Sequence, residues 1–570
     1  MFFPQARPYL EKHGVQAAIS QAVAKVLKEQ PTDPVASIAR YLLQEETKRS
    51  EAKMMSEIAT MTGPTGFDFL IVCCSNLAAE NYWQKRLMST VKEVTGAAGV
   101  VLCVHEDWNG GAGNGLGTLY AFQKACAKAS AGGIDLAAKM RAGASVALYH
   151  TAGKGTRLAP LPGAENNNKP GVKLPALISV DGSPQPITVL ECVMRQTSSY
   201  AAARPGRCSV FWGDQIFVPS CGVAPSSAPA DILAALRPMP TKAEWEKEEL
   251  HQYGLIAVDK RGGATQLEKV TYDVAAQYLP SDVERVGTSL GSFSVSAALM
   301  DALLAEFAPE LAAKTACLDS DPHFWMPLTL RENDYLAVMG KKGTSAAEAG
   351  AHYKRMAAFR QRFDPNGAPV LACVDVGTNA FWWDYGRLGL YFENNLLLTE
   401  ASTSAHALRT FLGLHPYRQQ ESKLGVGMPV DDSSVVLKCN IGTGNIGKGN
   451  VLVNVSAPSV EVEGCILVNV TSTVPIKGKG GLLYNVVHED AAAGAPPLSC
   501  DAVRADVFYP GNHLQMTSSR ETDGGKVWKE QLEGNPMSFE GVYKANQPLD
   551  VGECTNLAAG AHAAARAKMA

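Results

Sequence analysis

The chain has 570 residues, of which 46% are hydrophobic and 19% are charged, and its formal net charge at neutral pH is −4. This length predicts three or four domains, and the hydrophobic content supports large buried cores. A slightly acidic chain lacks the basic surface that nucleic acids and anionic membranes require, so neither partner is expected.

The sequence also indicates the compartment. No stretch reaches the roughly 18 consecutive apolar residues of a membrane helix, and residues 1–7 lack the basic-then-apolar order of a secretory signal. The 13 cysteines include no Cys-x-x-Cys pair, which argues against a disulfide framework or a zinc knuckle. We therefore expect a cytoplasmic protein.

The first predicted element is a pair of short helices. Ile19, Val23 and Leu27 recur every fourth residue as an apolar stripe, and residues 30–34 (QPTDP) then interrupt the chain, with Asp33 as the expected cap of a short second helix. Two helices this short cannot bury their apolar faces alone, which favours pairing with a second copy in a four-helix bundle. The alternative is a hairpin that packs on the main domain.

The same segment resembles the Dpy-30 motif through Tyr9, Leu10, Val15 and residues 31–43. That motif is similar to the docking and dimerisation hairpin of the regulatory subunits of cyclic-AMP-dependent kinase. The resemblance implies a homodimer through residues 9–43, which would receive an amphipathic anchor helix from a partner protein. Because such hairpins are common in cilia and flagella, it also implies an axonemal location.

A linker and the start of an α/β domain are predicted next. Residues 48–66 are charged at first and then contain Met, Thr and Gly, which is typical of a linker. Residues 67–74 then form a buried-strand pattern, residues 79–91 a helix and residues 99–104 a second strand. The alternation of strands and helices indicates an α/β fold.

The first of two glycine-rich segments follows the second strand. Its glycines lie between residues 110 and 117, and a helix is predicted at residues 119–128. The N-terminus of such a helix can accept a phosphate or a base carbonyl. A flexible surface loop is the alternative.

The second glycine-rich segment is residues 150–157 (HTAGKGTR), which follow an apolar strand at residues 145–149. Gly153 and Gly155 lack Cβ atoms, so the backbone can turn and approach an anion, and Arg157 supplies positive charge. The pattern predicts a phosphate-binding loop. A plain glycine turn between a strand and a helix is the alternative.

Two aspartates farther along the chain add carboxylates. Asp214 ends the strand-like part of residues 211–217 (FWGDQIF), and Asp384 lies in residues 381–386 (FWWDYG). A carboxylate at the end of a strand can hold a divalent cation over bound phosphates. The two residues are therefore candidate metal ligands.

Together, the glycine loop, Asp214 and Asp384 resemble the ordered motifs of the sugar-1-phosphate nucleotidyltransferases, the pyrophosphorylases that make nucleotide sugars. The resemblance implies transfer of a nucleoside monophosphate from a nucleoside triphosphate (NTP) to a sugar 1-phosphate, with release of pyrophosphate. It implies Mg²⁺ on the two aspartates and Arg157 beside the departing phosphates. A lysine would position the attacking phosphate, and the family's Lys-Pro-x-Leu-Pro element can be aligned on either Lys169 or Lys173.

The resemblance also implies contacts with the nucleotide and the sugar. The residues implied are Gly115, Gly117, Thr118, Ala152, Gly153, Lys154, Gly155, Thr156, Glu268 and Lys269. For Glu268 and Lys269, a surface ion pair after a strand is the alternative. Because residues 115–121 (GLGTLYA) precede the sugar-loop motif, the motif order is similar to that of the fucose-1-phosphate guanylyltransferase branch.

Beyond residue 422 the sequence changes to short apolar strands separated by Gly and Asn. Residues 435–437, 451–453 and 465–468 recur at intervals of about 15 residues. This spacing predicts stacked β-coils, and nucleotidyltransferases often carry a β-helix at this place, whereas a small β-sandwich is the alternative. The Ala-rich end after residue 558 is either a terminal helix or disordered.

The predicted fold is α/β: a Rossmann-like nucleotidyltransferase domain with a mixed sheet flanked by helices, an N-terminal helical hairpin and a C-terminal β-rich, β-helix-like domain. The predicted boundaries are residues 1–47 for the hairpin, 48–66 for the linker, 67–415 for the nucleotidyltransferase domain, and 416–570 for the C-terminal domain with its tail. The alternative function is an anchored structural or nucleotide-sensing component of a ciliary or flagellar axonemal complex, with weak catalysis or none.

Overall fold

The computed structural model describes residues 14–61, 63–151, 153–279, 283–364, 366–490, 492 and 494–569, and of residues 252, 268 and 278 it describes the backbone only. Three residues of the predictions, Tyr9, Leu10 and Ala152, lie outside the described chain. Within the described chain, each helix is too short or too polar to cross a lipid bilayer.

Two helices open the described chain, α1 (Val15–Glu29) and α2 (Pro34–Met61). The carboxylate of Asp33 caps α2, because its Oδ1 accepts the N–H of Ala36 at 3.0 Å. The predicted start of the second helix is therefore confirmed.

The second helix is longer than the sequence suggested. Met54, Ile58 and Met61 lie at helical spacing and are buried in the core of the α/β region, and the hydroxyl of Ser198 donates to the carbonyl of Met61 at 2.9 Å. This apolar stripe packs the C-terminal half of α2 onto the α/β region. The linker prediction is therefore wrong over residues 48–61.

The α/β region begins with a strand after α2. Its first half contains β1 (Phe69–Cys74), α3 (Leu77–Thr95), β2 (Val100–His105), α4 (Gly113–Ala131), α5 (Leu136–Arg141), β3 (Val146–His150), α6 (Leu161–Ala164), β4 (Lys173–Val180), β5 (Ser183–Thr188), α7 (Val189–Thr197), β6 (Arg207–Trp212) and β7 (Gln215–Val218). Its second half contains β8 (Ala230–Pro238), α8 (Lys242–Lys247), β9 (Gly254–Asp259), β10 (Ala264–Glu268), α9 (Tyr272–Tyr278), β11 (Val283–Ser296), α10 (Ala297–Glu306), α11 (Ala308–Ala313), α12 (Met326–Thr329), α13 (Glu332–Lys341), α14 (Ala346–Phe363), β12 (Leu371–Asp375), β13 (Phe381–Asp384), α15 (Leu388–Leu397) and α16 (Thr403–Phe411). Short 3₁₀ helices lie at Thr156–Leu158, Lys169–Gly171, Ser198–Ala203 and Leu250–Gln252, and a π-helical turn lies at Asp321–Trp325.

A mixed sheet organises this region. The strands β2, β1, β3 and β6 lie side by side in parallel, and β11 is antiparallel to β6. Beyond them, β11 pairs antiparallel with β8 and β9, β10 pairs with β9, and β12 lies parallel to β8. The four parallel strands therefore end at one common edge.

Helices cover both faces of the parallel strands. Val72 of β1 faces the core that contains Trp83 of α3, whereas Ile71 faces the core that contains Phe122 of α4. A strand buried on both faces needs apolar side chains at every position, which explains the continuous apolar run of residues 69–74. The prediction of an α/β fold with a mixed sheet flanked by helices is confirmed.

The C-terminal region is β-rich, as predicted. It contains β14 (Gln419–Gln420), β15 (Lys423–Leu424), β16 (Val435–Leu437), β17 (Asn440–Ile446), β18 (Val451–Glu463), β19 (Ile466–Ser472), β20 (Ile476–Lys479), β21 (Leu482–His488), β22 (Leu498–Ser499), β23 (Val503–Tyr509), β24 (Asn512–Ser518), α17 (Phe539–Asn546) and α18 (Val551–Ala567).

The strands of this region stack in parallel. Val435 pairs with Val451, Val451 with Ile466, Ile466 with Leu482, and Leu482 with Val503. The strand β24 closes the row and is antiparallel to β23. The predicted stacking of successive short strands is confirmed, and its parallel pairing differs from the antiparallel sheets of a small β-sandwich.

The stacked strands have an inner and an outer apolar layer. Leu452 and Leu467 belong to the core within the stack, whereas Val453 and Val468 face the core shared with the α/β region. The Ala-rich end is the helix α18, which packs through Ala565 on the stacked strands. Of the two alternatives for this end, the structure has the helix.

Candidate functional site

An open cavity of about 530 Å³ lies at the carboxyl edge of the parallel strands. Open α/β sheets place their sites at this edge, because loops that leave neighbouring strands meet there. The cavity is lined by Glu106, Gly111, Gly113, Asn114, His150, Thr151, Gly153, Lys169, Pro170, Trp212, Gly213, Asp214 and Gln215. It therefore joins three predicted site residues, Gly153, Lys169 and Asp214, to neighbours from the same segments and to Glu106, which the sequence did not single out.

The loop that follows β3 is anchored to the neighbouring strands. Thr151 donates its backbone N–H at 3.1 Å and its hydroxyl at 2.7 Å to the carbonyl of Cys73 in β1. The N–H of Gly213 donates to the carbonyl of His150 at 3.2 Å. These bonds extend the parallel pairing past the strand ends and hold the start of the predicted phosphate loop at the cavity.

Gly155 has the left-handed backbone that we predicted for a glycine of this loop. Its φ is +67°, and an added Cβ would lie 3.0 Å from Pro162 Cγ and 3.1 Å from Lys169 Cδ. A larger residue would therefore strain the backbone and displace Lys169. Thr156 follows as the first residue of a short 3₁₀ helix.

Lys169 and Asp214 form a close ion pair in the cavity wall. The Nζ of Lys169 lies 2.5 Å from the Oδ2 of Asp214, and the two side chains are 17% and 20% exposed. A charge-assisted hydrogen bond between partly desolvated groups is stronger than one at the open surface. Lys169 is thus the candidate lysine that lies beside a predicted metal carboxylate.

Asp384 reaches the same place from another strand. The antiparallel pairing of β13 with β7 sets Asp384 opposite Gln215, the residue after Asp214. A Cβ added to Gly386 would lie 2.9 Å from Asp214 Oδ2 and 3.0 Å from Asp384 Oδ1. The N–H of Gly386 donates to Asp384 Oδ1 at 2.6 Å. The two carboxylates therefore converge on one glycine.

The charges of this cluster act on one another. Burial raises the pKa of the Asp384 carboxyl above its ordinary value, against the hydrogen bond from the Gly386 N–H, and the Asp214 carboxylate raises it further. The cations of Lys169 and Arg157 lower it. Arg157 is exposed on the loop, yet it is close enough to act on Asp384. Two carboxylates and two cations therefore share one electrostatic neighbourhood.

The donor set fits a divalent cation that is shared with a ligand. Mg²⁺ commonly takes one or two carboxylates and completes its shell with water and substrate phosphates. Asp214 and Asp384 converge, and the like charge that raises the pKa of Asp384 is the charge a cation would neutralise. In the part of the chain that the structure describes, no group of three or more His, Cys, Asp or Glu side chains is arranged to hold a metal.

Two further predicted cations lie elsewhere. The Nζ of Lys173 contacts Glu165 Oε2 at 2.6 Å, and both residues line a different cavity. Lys154 is exposed, and its Nζ lies 5.5 Å from the centre of the Tyr543 ring. Of Lys154, Lys169 and Lys173, the structure thus brings Lys169 to the cavity with Asp214.

The first glycine-rich segment is in large part helical. The helix α4 begins at Gly113, so the prediction of a loop up to residue 118 is wrong. The carbonyl of Leu318 accepts the N–H groups of Gly115 at 2.9 Å and Leu116 at 3.1 Å. A Cβ on Gly115 would lie 2.8 Å from that carbonyl oxygen. Because Gly115 has no side chain, the segment that contains Leu318 can approach the start of the helix. The N–H groups that were predicted to bind a phosphate donate to the carbonyl of Leu318 instead.

Thr118 lies buried behind the cavity wall. Its hydroxyl donates to the carbonyl of Asn114 at 2.7 Å and lies 2.8 Å from His150 Nε2. Because the single hydroxyl proton is already used, the Nε2–H of a neutral His150 is the donor. Burial lowers the pKa of His150 to about 4, and its ring stacks on Trp212 with centroids 5.4 Å apart. His150 is therefore a neutral wall residue.

Glu106 is a cavity residue that the sequence analysis missed. It follows β2, and its Oε1 accepts the N–H of Ala112 at 2.9 Å. A Cβ on Gly117 would lie 3.0 Å from the other carboxylate oxygen. Burial raises the pKa of the Glu106 carboxyl. The signal in the sequence was its position directly after an apolar strand, which is the same signal that identified Asp214.

The predicted sugar-facing residues lie at the end of β10. The backbone of Glu268 pairs with Gly254 of β9, and the N–H of Lys269 donates to the carbonyl of Tyr253 at 3.1 Å. In the sheet, β9 and β11 separate β10 from β6. The side chain of Glu268 lies outside the described residues, so the assignment of this pair to a sugar stays a prediction.

Comparison with protein-family models and with curated proteins finds no match for this chain. The geometry of the cavity and its charged residues therefore indicate the function.

Proposed function

We propose that this chain is a Mg²⁺-dependent sugar-1-phosphate nucleotidyltransferase, which transfers a nucleoside monophosphate from an NTP to a sugar 1-phosphate and releases pyrophosphate. The observation that carries the proposal is the ion pair of Lys169 and Asp214 in the wall of an open cavity, with the carboxylate of Asp384 converging on that of Asp214. Two polyanionic substrates can approach each other only when their charges are neutralised. The cluster has both a cation and carboxylates that suit a divalent cation.

The residues of the cavity have separate roles in this proposal. An oxygen of the sugar phosphate attacks the α-phosphorus of the NTP, the bond to the bridging oxygen breaks, and pyrophosphate leaves with that oxygen. Lys169 orients the attacking phosphate, because one proton of its ammonium bonds to Asp214 and two remain for phosphate oxygens. Arg157 stabilises the charge of the departing phosphates.

The glycine loop gives the phosphates room. A Cβ at Gly153 would meet open space, so the backbone there is accessible to an anion. Asp214 and Asp384 would hold Mg²⁺, which supplies positive charge to the triphosphate when bound. The parallel strands with helices on both faces support a Rossmann-like interpretation of this region.

The test is pyrophosphate release by the full chain with Mg²⁺ and a matrix of NTPs and sugar 1-phosphates. One substrate pair should turn over, and Asp214→Asn should lower kcat/KM by about 100-fold or more, because it removes a cation ligand and the partner of Lys169. Asp432→Asn, at an exposed position of the C-terminal region, is the matched control and should retain full turnover. A chain without turnover or nucleotide binding across the matrix would refute the proposal.

A second function, anchoring, is supported by exposed apolar side chains on α1 and α2. Leu27 is 70% exposed, Val35 78% and Leu43 65%. Apolar side chains gathered on neighbouring helices are typical of a surface that a partner covers. We propose a homodimer through residues 9–43 that receives an amphipathic anchor helix, which would hold the protein in the cytoplasm or at an axoneme as an anchored enzyme, a nucleotide sensor or a structural component.

The double variant Val23→Asp with Leu27→Asp tests the dimer. We expect the molar mass in solution, measured by light scattering, to fall by half while nucleotide binding is unchanged, because charges oppose burial of this face. Gln21→Asp, at an exposed position of the same helix, is the control and should leave the dimer intact. A monomeric unmodified chain would exclude the dimer.

We also interpret the stacked strands of the C-terminal region as a β-helix. Each parallel pair joins one turn of the chain to the next, and Leu452 and Leu467 occupy successive positions in the interior. Its outer layer packs on the α/β region through Val453 and Val468. A β-helix in this position would brace the nucleotidyltransferase domain.

A further inference from the structure

A second cavity, with a volume of about 580 Å³, lies apart from Asp214. Residues of α3, the turn between β4 and β5, the stacked strands and α18 all line it. Cavities of this size in proteins commonly hold a small metabolite. The character of its walls indicates which chemical class fits.

One wall is a ladder of residues with a left-handed backbone. Lys438, Asn454, Asn469 and Asn485 have φ angles of +54°, +55°, +53° and +55°. They occupy equivalent positions on successive stacked strands, and all four line the cavity. Asparagine adopts this backbone more readily than most residues, whereas lysine does so at a cost. At this backbone conformation, Lys438 is therefore less favourable than the asparagines at the three equivalent positions.

Lys438 and Arg566 set two cations inside the cavity. The Nζ of Lys438 donates to the carbonyl of Pro184 at 2.5 Å, and Nη2 of Arg566 donates to Asn454 Oδ1 at 3.3 Å. Both side chains are half-buried, and both acceptors are neutral. Among the described atoms, Arg566 Nε is buried without a hydrogen-bond partner. Burial and then the charge of Arg566 lower the pKa of Lys438, and the carboxylate of Glu421 raises it, so the charge of Lys438 is held at a net cost.

Two other cations of this cavity already have carboxylate partners. Arg86 pairs with Glu191 at 2.9 Å, and Lys173 pairs with Glu165 at 2.6 Å. Neither Glu191 nor Glu165 is therefore left to neutralise Lys438 and Arg566.

The remaining charges lie at the rim. Lys85, Asp181 and Asp550 line the cavity, and all three are exposed. The carboxylate of Asp550 also accepts the N–H of Glu553 at 2.8 Å as the cap of α18. Exposed charges are screened by water, so the two half-buried cations dominate the interior.

We propose that this second cavity binds a small phosphorylated, hydroxyl-rich metabolite, with its phosphate between Lys438 and Arg566 and its hydroxyl groups on the asparagine ladder. A phosphate supplies several charged acceptors to the two cations. The amide of Asn454 donates to Asn469 Oδ1 at 2.9 Å. The donors and acceptors that remain on the two amides suit hydroxyl groups, which need both. This inference does not depend on the proposed reaction.

The second cavity is connected to the first. The amide of Asn166 donates to Cys554 Sγ of α18 at 3.3 Å, and Asn166 lies in the same segment as Lys169. This segment therefore borders both cavities, whereas Lys169 itself lines the first cavity and not the second.

The test is calorimetric titration of the full chain with ribose 5-phosphate, inorganic phosphate and unphosphorylated ribose. We expect saturable binding of ribose 5-phosphate, weaker binding of inorganic phosphate, and none of ribose. Lys438→Asn should weaken binding by about tenfold or more, because a charged hydrogen bond is lost. The variant should melt at or above the temperature of the unmodified chain, because asparagine suits the left-handed backbone.

Lys169→Met is the control for binding in the first cavity and should change the affinity for ribose 5-phosphate by less than about twofold. Arg566→Gln should weaken binding as Lys438→Asn does. Loss of binding in Lys169→Met with retention in Lys438→Asn would place the phosphate in the first cavity and refute the proposal. Absence of saturable binding, or equal affinities for ribose 5-phosphate and inorganic phosphate, would also refute it.

Discussion

Two cavities border the same short segment of chain, and they hold its two lysines in different ways. Lys169 faces Asp214 in the open cavity, with side chains 17% and 20% exposed, whereas Lys173 faces Glu165 with both side chains 9% exposed. A pair that a ligand can reach can share its cation with a phosphate. A buried pair loses more when it is broken, because each charge is then left without a partner.

The bonds around Lys173 give it a structural role. Its Nζ also donates to the carbonyl of Gly171 at 2.7 Å, and its backbone N–H donates to the hydroxyl of Tyr484 at 2.9 Å. That hydroxyl donates in turn to Glu165 Oε1 at 2.5 Å. The buried lysine therefore ties the α/β region to the stacked strands. The comparison teaches that residues in one motif take different roles according to the elements packed on each side.

The largest expected effect is that of Lys169→Met on turnover. We expect kcat/KM for pyrophosphate release to fall about 100- to 1000-fold, because a cation aimed at transition-state charge is removed. The free energy of unfolding should fall less than in Lys173→Met, because the pair with Asp214 is more exposed than the pair of Lys173 with Glu165. Lys85→Met, at an exposed lysine, is the control and should stay within about twofold. If Lys173→Met lowered kcat/KM more than Lys169→Met at an unchanged folded fraction, Lys173 and not Lys169 would be the lysine that acts on the substrate.

The next effect is that of Lys173→Met on stability. Removal of the ammonium leaves the carboxylate of Glu165 buried without its cation, so the free energy of unfolding should fall by about 3 kcal/mol. Urea unfolding followed by circular dichroism measures it. The double variant Lys173→Met with Glu165→Leu should recover most of the loss. If the double variant is no more stable than the single one, the ion pair is not the cause.

Two histidines extend the comparison, one at each cavity. Burial lowers the pKa of His150 to about 4, and burial followed by the charge of Arg566 lowers that of His562 to about 4. Both therefore bind a proton less tightly in the folded chain than in the unfolded chain, where the ordinary value is about 6.5. Their contribution to stability is complete above pH 6.5 and is lost as the pH falls towards 4, by about 3 kcal/mol at most for each.

His150→Gln and His562→Gln test this pH dependence separately. Each variant should show a smaller fall in the free energy of unfolding between pH 7 and pH 4.5 than the unmodified chain, measured by urea titration at each pH. Gln16→Asn, at an exposed position without a titratable side chain, is the control and should keep the full slope. An unchanged slope in both test variants would mean that neither histidine is shielded from water.

The sequence predicted the elements whose pattern is set by burial. The apolar pattern at residues 67–74 contains the strand Phe69–Cys74, and the repeats at residues 435–437 and 451–453 are stacked strands. Strands that are covered on both faces need apolar residues throughout. Asp214 was also predicted because it ends a strand-like run, and Asp384 was predicted from the motif at residues 381–386. The structure brings their carboxylates together.

The elements that the sequence did not predict depend on distant contacts. The helix α4 starts among glycines, which disfavour helix, because the carbonyl of Leu318 accepts the N–H groups of Gly115 and Leu116. Residues 48–61 are helical because their apolar stripe packs on the α/β region. The choice between Lys169 and Lys173 depends on which carboxylate each meets, and both carboxylates lie outside their shared motif.

The smallest expected effect concerns Lys154, the cation of the glycine loop that lies over the Tyr543 ring at 5.5 Å. An exposed cation of this kind gains only about 0.5–1 kcal/mol from a ring. Lys154 is exposed and does not line the cavity of Asp214, so its charge is screened by water. We therefore expect Lys154→Met to lower kcat/KM for pyrophosphate release by less than about fivefold, a change of about 1 kcal/mol. Tyr543→Leu is the companion variant, because it frees Lys154 without removing its charge. The opposite result would be a loss of kcat/KM in Lys154→Met as large as in Lys169→Met, together with a gain in Tyr543→Leu. That result would mean that the loop turns Lys154 into the cavity when substrate binds, so that Lys154 acts on the substrate as Lys169 does.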